Sequence, residues 1–218
     1  MHSFILFAQA EPDTNVSLLY WYATAAGWFF GPLFVLISIV FVTLAIMNWL
    51  AISRNAIVPP EMIEQFQEKW EAKEYQEAYE IAKDSDSTLG RILAVGLVKM
   101  SENAAAAEQA MTDAAEEEVL RLENRLSYLG IIASVTPMIG LLGTVYGMIM
   151  AFYVISQSGV QPNPSDLAGG ISLALVTTQF ALMIAIPALA LFEVFKTRLA
   201  QFVLELSVQT ENILRQGK

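Results

Sequence analysis

Thr144, Ser172, Thr177, Thr178 and Gln179 are hydrogen-bonding side chains set in two stretches without charge. Between Ser127 and Phe192 the sole Asp, Glu, Lys, Arg or His is Asp166. A threonine hydroxyl donates and accepts hydrogen bonds, but its proton does not leave near neutral pH, so such groups guide water or an ion without storing a proton. Ser and Thr also satisfy themselves by bonding back to a carbonyl one turn earlier. Gln179 has no such escape, because its amide needs partners in hydrocarbon or costs a few kcal/mol. Ser172 shares its helical face. Polar groups at mid-bilayer depth face a bundle interior or a wet pathway. The residues by themselves leave interhelical hydrogen bonding and the lining of an ion path equally open.

Two apolar arms must hold these groups, the first over 127–157 and the second over 167–195, joined by a turn at 158–166 containing Pro162, Asn163, Pro164 and Asp166. About 20 apolar residues at about 1.5 Å rise cross about 30 Å of hydrocarbon, so each arm is long enough to span a bilayer. On the first arm Ala133, Thr136, Gly140, Gly143 or Thr144, Gly147 and Ala151 recur at spacings of three and four, which lays small residues along one helical face. In lipid, close backbone packing is a main source of helix association, and Gly143-x-x-x-Gly147 is a familiar form of it. Gly140, Gly143 and Gly147, with Pro187 on the second arm, are therefore expected as packing residues in the wall of any pore.

A third charge-free run extends from Val16 to Ser53. Tyr20, Trp21, Tyr22 and Trp28 suit the headgroup level, so residues 1–29 are expected as an outer tail and interfacial helix, and 30–53 as the first span. Gly31 and Pro32 are expected to mark the corner between them, since proline is tolerated in a helix's first turn. The Ala8-x-Ala10 sequence resembles a cleavage site, but no Lys or Arg precedes it and its apolar part is short. A membrane-grazing tail is the expectation. All 12 Lys and Arg lie in 54–125 or after 195. The positive-inside rule then places 54–126 and 196–218 in the cytoplasm, with the N-terminus and the turn outside.

The cytoplasmic portion reads as helices: one begun by Pro59-Pro60 with Met62, Ile63, Phe66 and Trp70 at helical spacing, one through Tyr75, Ala78 and Ala82, and one through Ile92 and Leu93. From about Asn103 no Gly or Pro interrupts the pattern until Gly130, so the first arm is expected to extend back into the cytoplasm as one helix of roughly 80 Å. Leu199, Phe202, Leu206 and Ile213 continue the second arm likewise. The fold class is an all-α integral membrane protein with three transmembrane helices and long cytoplasmic helical extensions.

Several function classes are a poor match. A net charge of −10 does not suit nucleic acid, whose phosphates call for basic clusters. Cysteine is absent and His2 is the sole histidine. There is no metal-binding His pair, no nucleophile with its base and no phosphate-binding glycine loop, so neither an enzyme nor a cofactor is expected. The glutamates from Glu61 to Glu80 read as solvated faces.

With these residues in place, Ala133 to Phe195 resembles the paired second and third spans of the MotA/TolQ/ExbB proton channel family. The resemblance rests on Pro137, the run Gly140-Leu-Leu-Gly143-Thr144-Val-Tyr-Gly147, the run Gly170-Ile-Ser-Leu-Ala174-Leu-Val-Thr-Thr178 and Ala185-Ile-Pro187. It implies a bacterial inner-membrane motor subunit that assembles as a homopentameric ring around a dimer of single-span ExbD/TolR-like partners, converting proton motive force into mechanical work. It implies that Thr144 and Thr178 line the ion path, with Ser172, Thr177 and Gln179 as further polar groups, and that the titratable carrier is an intramembrane Asp of the partner. One position departs: ExbB and TolQ relatives usually have a glutamate where this chain has Leu173. The competing reading is a non-conducting membrane scaffold that assembles envelope partners, with Leu173 reflecting loss of ion transport.

Overall fold

A computed structural model describes residues 25–100, 103–157 and 164–216. Expectations for the N-terminal tail, for the core of the turn around Pro162 and for the last two residues lie outside the described residues. Among the described residues all regular structure is helical, in seven elements: α1 Gly27–Ala51, α2 Arg54–Ile57, α3 Pro60–Glu71, α4 Tyr75–Asp84, α5 Thr88–Met100, α6 Ala104–Gln157 and α7 Pro164–Gln216. Three of them, α1, α6 and α7, are long and apolar enough to cross a membrane.

Gly31-Pro32 does not mark a corner: α1 begins earlier, at Gly27, whose φ of +75° is a conformation that side-chain-bearing residues rarely adopt. Pro32 lies inside α1. The helix α6 runs unbroken through Pro137, and α7 through Pro187. Each proline removes one backbone donor without ending its helix.

Contacts divide the chain into two compact units, residues 1–43 with 129–190, and residues 44–128 with 191–218. The first unit is a three-helix arrangement of α1, α6 and α7. Its aromatic side is built from Phe30 and Phe34 of α1 with Leu173 and Ala181 of α7, and Ile139, Tyr146, Phe180 and Ile184 pack around them. Phe30 meets the Tyr146 ring at 6.0 Å and Phe34 meets Phe180 at 6.3 Å. The opposite face of α1 exposes Val35, Leu36, Ile39, Val40 and Val42. In a spanning helix such a face is solvated by acyl chains rather than water.

The second unit is built on short amphipathic helices. Pro60 sits at the start of α3, where a missing N–H costs nothing. Met62, Phe66 and Trp70 then fall on one buried face, with the Phe66 and Trp70 rings stacked at 5.8 Å. The helix stops at Lys73, whose φ of +61° turns the chain into α4. Beside this turn the Lys69 ammonium donates hydrogen bonds to the Glu74 and Glu77 carboxylates, which hold its pKa well above the ordinary value. The glutamates of α3 and α4 are all exposed. Ala78, Ala82, Leu89, Ile92 and Leu93 close the small core.

This core is tied to α6 by charge. Arg91 grips Glu118 with two bonds, Nε to Oε1 at 3.0 Å and Nη2 to Oε2 at 2.7 Å, and Arg121 adds a third at 2.9 Å. Glu118 is 7% exposed, and the guanidinium groups satisfy the carboxylate that burial would otherwise penalise. On α7, Leu199, Leu206 and Ile213 are buried at a repeat of seven, the seam spacing of packed helices. At the end of the apolar part of α1, Trp49 meets Phe195 edge to face and carries Arg198 over its ring at 5.3 Å.

Candidate functional site

The first unit brings the small residues of α6 onto the small residues of α7. A methyl added at Gly140 would come within 2.5 Å of the Ala181 Cβ, and one at Gly143 would overlap Thr177. Gly147 and Gly170 face one another so closely that a methyl on either would meet the other's carbonyl oxygen, at 2.5 and 2.6 Å. At this separation each Cα–H lies against the opposing carbonyl, a weak bond that only glycine permits. Ala151 and Ala174 complete the seam.

The polar residues divide by their position relative to that seam. Thr177 lies inside it, fully buried, with its hydroxyl donating to the carbonyls of Leu173 and Ala174 at 2.9 and 3.0 Å. It reaches no surface of the protomer. Thr144 and Thr178 lie at its edge, both half-buried. The Thr144 hydroxyl donates to Leu141 O at 2.6 Å. The Thr178 hydroxyl is shared between Ala174 O at 3.2 Å and Gly140 O, across the seam, at 3.4 Å. In α-helical register the carbonyl of Gly140 also accepts the Thr144 amide, so the two threonines meet at one carbonyl.

Gln179 is exposed on α7. Ser172, which helical geometry puts on the same side, has a buried hydroxyl with no partner among the described residues. Pro187 does not join the glycines: it is exposed, about half a turn around α7 from Thr178. Leu173 is 6% exposed beneath α1, with Gly27 directly over it. Phe30, Phe34 and Ala181 join the site without being expected there, and Ala174, quoted above only for the resemblance, packs in the seam. The signal for the alanines was available in the spacing of Gly170, Ala174 and Ala181, which mirrors the first arm, whereas nothing in an evenly apolar α1 marks which of its phenylalanines turn inward.

Three long apolar helices, two of them locked by a small-residue seam with hydroxyls at its edge, define a multi-pass all-α membrane protein. Comparison with known proteins narrows the class. The model of the MotA/TolQ/ExbB proton channel family matches residues 84–207. The Tol-Pal system protein TolQ of Haemophilus influenzae is 32% identical over 171 residues, covering 70% of this chain and 75% of that protein. The biopolymer transport protein ExbB of Aquifex aeolicus is 34% identical over 84 residues, covering 38% of this chain and 56% of that protein. A putative biopolymer transport protein, ExbB-like 3, of Synechocystis is 32% identical over 126 residues, 57% of this chain and 60% of that one. The chain belongs to the MotA/TolQ/ExbB proton channel family and is an ExbB/TolQ-type membrane subunit of a proton-driven system.

Proposed function

We propose that five copies of this chain form a ring in the bacterial inner membrane around a dimer of single-span ExbD/TolR-like partners, and that proton flow through the ring drives rotation of one component against the other. In this reading 30–53, 127–157 and 167–195 are the spans, the turn at 158–166 and the N-terminal residues are periplasmic, and 54–126 and 196–218 are cytoplasmic. The α6–α7 hairpin is the inner wall and α1 the outer, lipid-facing member.

The observation that carries the proposal is a pair of half-buried hydroxyls at the edge of a seam otherwise built of small apolar residues, Thr178 donating across it to Gly140 O and Thr144 donating to Leu141 O one residue further along α6. That edge offers hydrogen bonds in a wall with no charge of its own. Gln179, exposed about 100° further around α7, and Ser172, on the same side as Gln179 with a buried hydroxyl, are further polar groups of that wall. Thr177 serves the wall from within by filling the space opposite Gly143. None of these groups stores a proton at neutral pH, so the titrating carboxyl is supplied by an intramembrane Asp of the partner.

The test is proton flux into vesicles containing this chain and its single-span partner. Thr178→Val, which keeps the volume and removes the hydroxyl, is expected to lower flux about two- to tenfold, the worth of one hydrogen bond. Flux that is absent in the wild type would favour a non-conducting scaffold, and flux that Thr178→Val leaves untouched would remove Thr178 from the path.

A further inference from the structure

Trp49 and Arg198 meet where two charge-free runs end. The run that contains α1 stops at Ser53, and the apolar part of α7 gives way to Glu193, Lys196 and Arg198. Within the second unit the two helices run parallel there. They are joined first by Trp49 against Phe195 and Arg198, and further along by Arg54 and Glu205 at 3.1 Å. A tryptophan at such a boundary sits at headgroup depth, and its contact fixes Arg198 at the same level.

Arg54, Arg91 and Arg121 of this unit each hold a carboxylate. Arg198 holds none among the described residues: it is exposed, with its guanidinium carbon 5.3 Å from the centre of the Trp49 ring. Stacking on an indole leaves the rim of the guanidinium, where its N–H groups point, free for an acceptor. That rim matches two oxygens of a phosphate. The carboxylate on the same face of α7, Glu205, lies about two turns further on and is engaged by Arg54. Toward the bilayer the neighbouring surface is apolar, since Ile46, one turn before Trp49, and Val194, one turn before Arg198, are both exposed.

We propose that Trp49 and Arg198 form a binding site for the phosphate of an anionic phospholipid. The guanidinium clamps the phosphate, the indole aims the guanidinium, and the acyl chains lie over Ile46 and Val194. The site rests on the reading of α1 as the lipid-facing member and takes nothing from the ion path. A zwitterionic choline lipid fits less well, because the ring that would seat its ammonium already carries Arg198. A lipid bound here bridges α1 and α7 at their cytoplasmic ends and holds the outer helix to the hairpin.

The experiment is native mass spectrometry of the full chain, purified with its single-span partner in detergent and titrated with dioleoylphosphatidylglycerol or dioleoylphosphatidylcholine. Phosphatidylglycerol is expected to bind the wild type several-fold more tightly than phosphatidylcholine. Arg198→Gln, which keeps much of the length and removes the charge, is expected to weaken phosphatidylglycerol about three- to tenfold. Trp49→Leu, which removes the platform, is expected to weaken it about two- to fivefold. Arg198→Lys keeps the charge without the fork and should fall between wild type and Arg198→Gln. Lys196→Gln removes another exposed cation of the same boundary, about 200° around α7, and should change affinity by less than about twofold. Equal losses from Arg198→Gln and Lys196→Gln would mean diffuse attraction to a basic rim and would overturn the site. So would affinity that Arg198→Gln leaves unchanged, or a wild type that prefers phosphatidylcholine. Inorganic phosphate that binds as tightly as the lipid would make this a free-anion site and overturn the lipid assignment. The same spectra count subunits, so a ring without bound lipid defeats this inference alone, and lipid bound to a complex of another stoichiometry defeats the ring alone.

Discussion

The adjacent glycines Gly169 and Gly170 test the seam against its own helix. A methyl at Gly170 would lie 2.6 Å from Gly147 O, 2.8 Å from Ala151 N and 2.9 Å from the Ala151 Cβ, whereas one at Gly169 would meet nothing within 4 Å. Two of the three obstacles are backbone and cannot rotate away. Restoring ordinary contact at 3.4 Å requires α6 and α7 to part by about 0.8 Å, a gap that forfeits a quarter to a half of each dispersion contact across it. With on the order of 20–30 close atom pairs at about 0.1–0.2 kcal/mol each, the loss is on the order of 1–2 kcal/mol. Weakened Cα–H···O contacts between Gly147 and Gly170 add about 0.5–1 kcal/mol. Alanine's better helix propensity returns up to about 1 kcal/mol at either site. Gly170→Ala should therefore destabilise by about 1–2 kcal/mol and Gly169→Ala should be neutral or stabilising by up to about 1 kcal/mol. Unfolding of the full chain by SDS titration in mixed micelles, followed by circular dichroism, reads the difference. Equal midpoints for the two variants, or the reverse order, would refute the seam as the source of hairpin stability.

Glu118→Gln leaves Arg91 without its carboxylate; because the Arg91 side chain is 45% exposed, the cost falls below that of a fully buried pair, at about 1–3 kcal/mol. Faster proteolysis within residues 84–128 of the detergent-solubilised protein is the readout. Lys73→Gly removes the strain of a left-handed lysine and is expected to stabilise the second unit by about 0.5–1 kcal/mol, seen as a higher melting temperature. Leu173→Ala opens a cavity among Phe30, Phe34 and Ala181 and should cost about 2–4 kcal/mol, measured in the same SDS titration.

Much of this architecture was written in periodicity. The stretch free of Gly and Pro from Asn103 to Leu129 gave the extension of α6, and Ala104–Gln157 is one helix. The buried faces of α3 and α4 followed from apolar residues at helical spacing, a signal that survives any tertiary context. The start of α1 did not, because Gly31-Pro32 resembles a corner locally. A proline inside a helix removes only one bond, and the surrounding apolar turns hold the rest. The ion clamp between Arg91 and Glu118 was invisible for another reason: in a chain rich in exposed glutamates, nothing marks the one that a fold will bury. Thr177 was grouped with Thr178 because adjacent residues look alike in a sequence, yet 100° of helical rotation separates a hydroxyl inside the seam from one at its edge.

The same rotation accounts for Leu173. It stands about 140° around α7 from Thr178, turned toward α1 rather than toward the threonine edge. There it fills the space between Phe30, Phe34 and Gly27, where a carboxylate would meet aromatic rings and no donor among the described contacts. Filling that space with leucine binds α1 to the hairpin by the same dispersion that binds the rest of a close-packed interior. A carrier carboxyl at 173 and a hydroxyl at 178 would thus address different neighbours within one protomer. The loss of the first removes nothing from the geometry of the second. If protons pass by Thr144 and Thr178, leucine at 173 is a packing residue and not a block, and Leu173→Ala should loosen α1 while leaving the hydroxyl edge, and flux normalised to folded protein, unchanged.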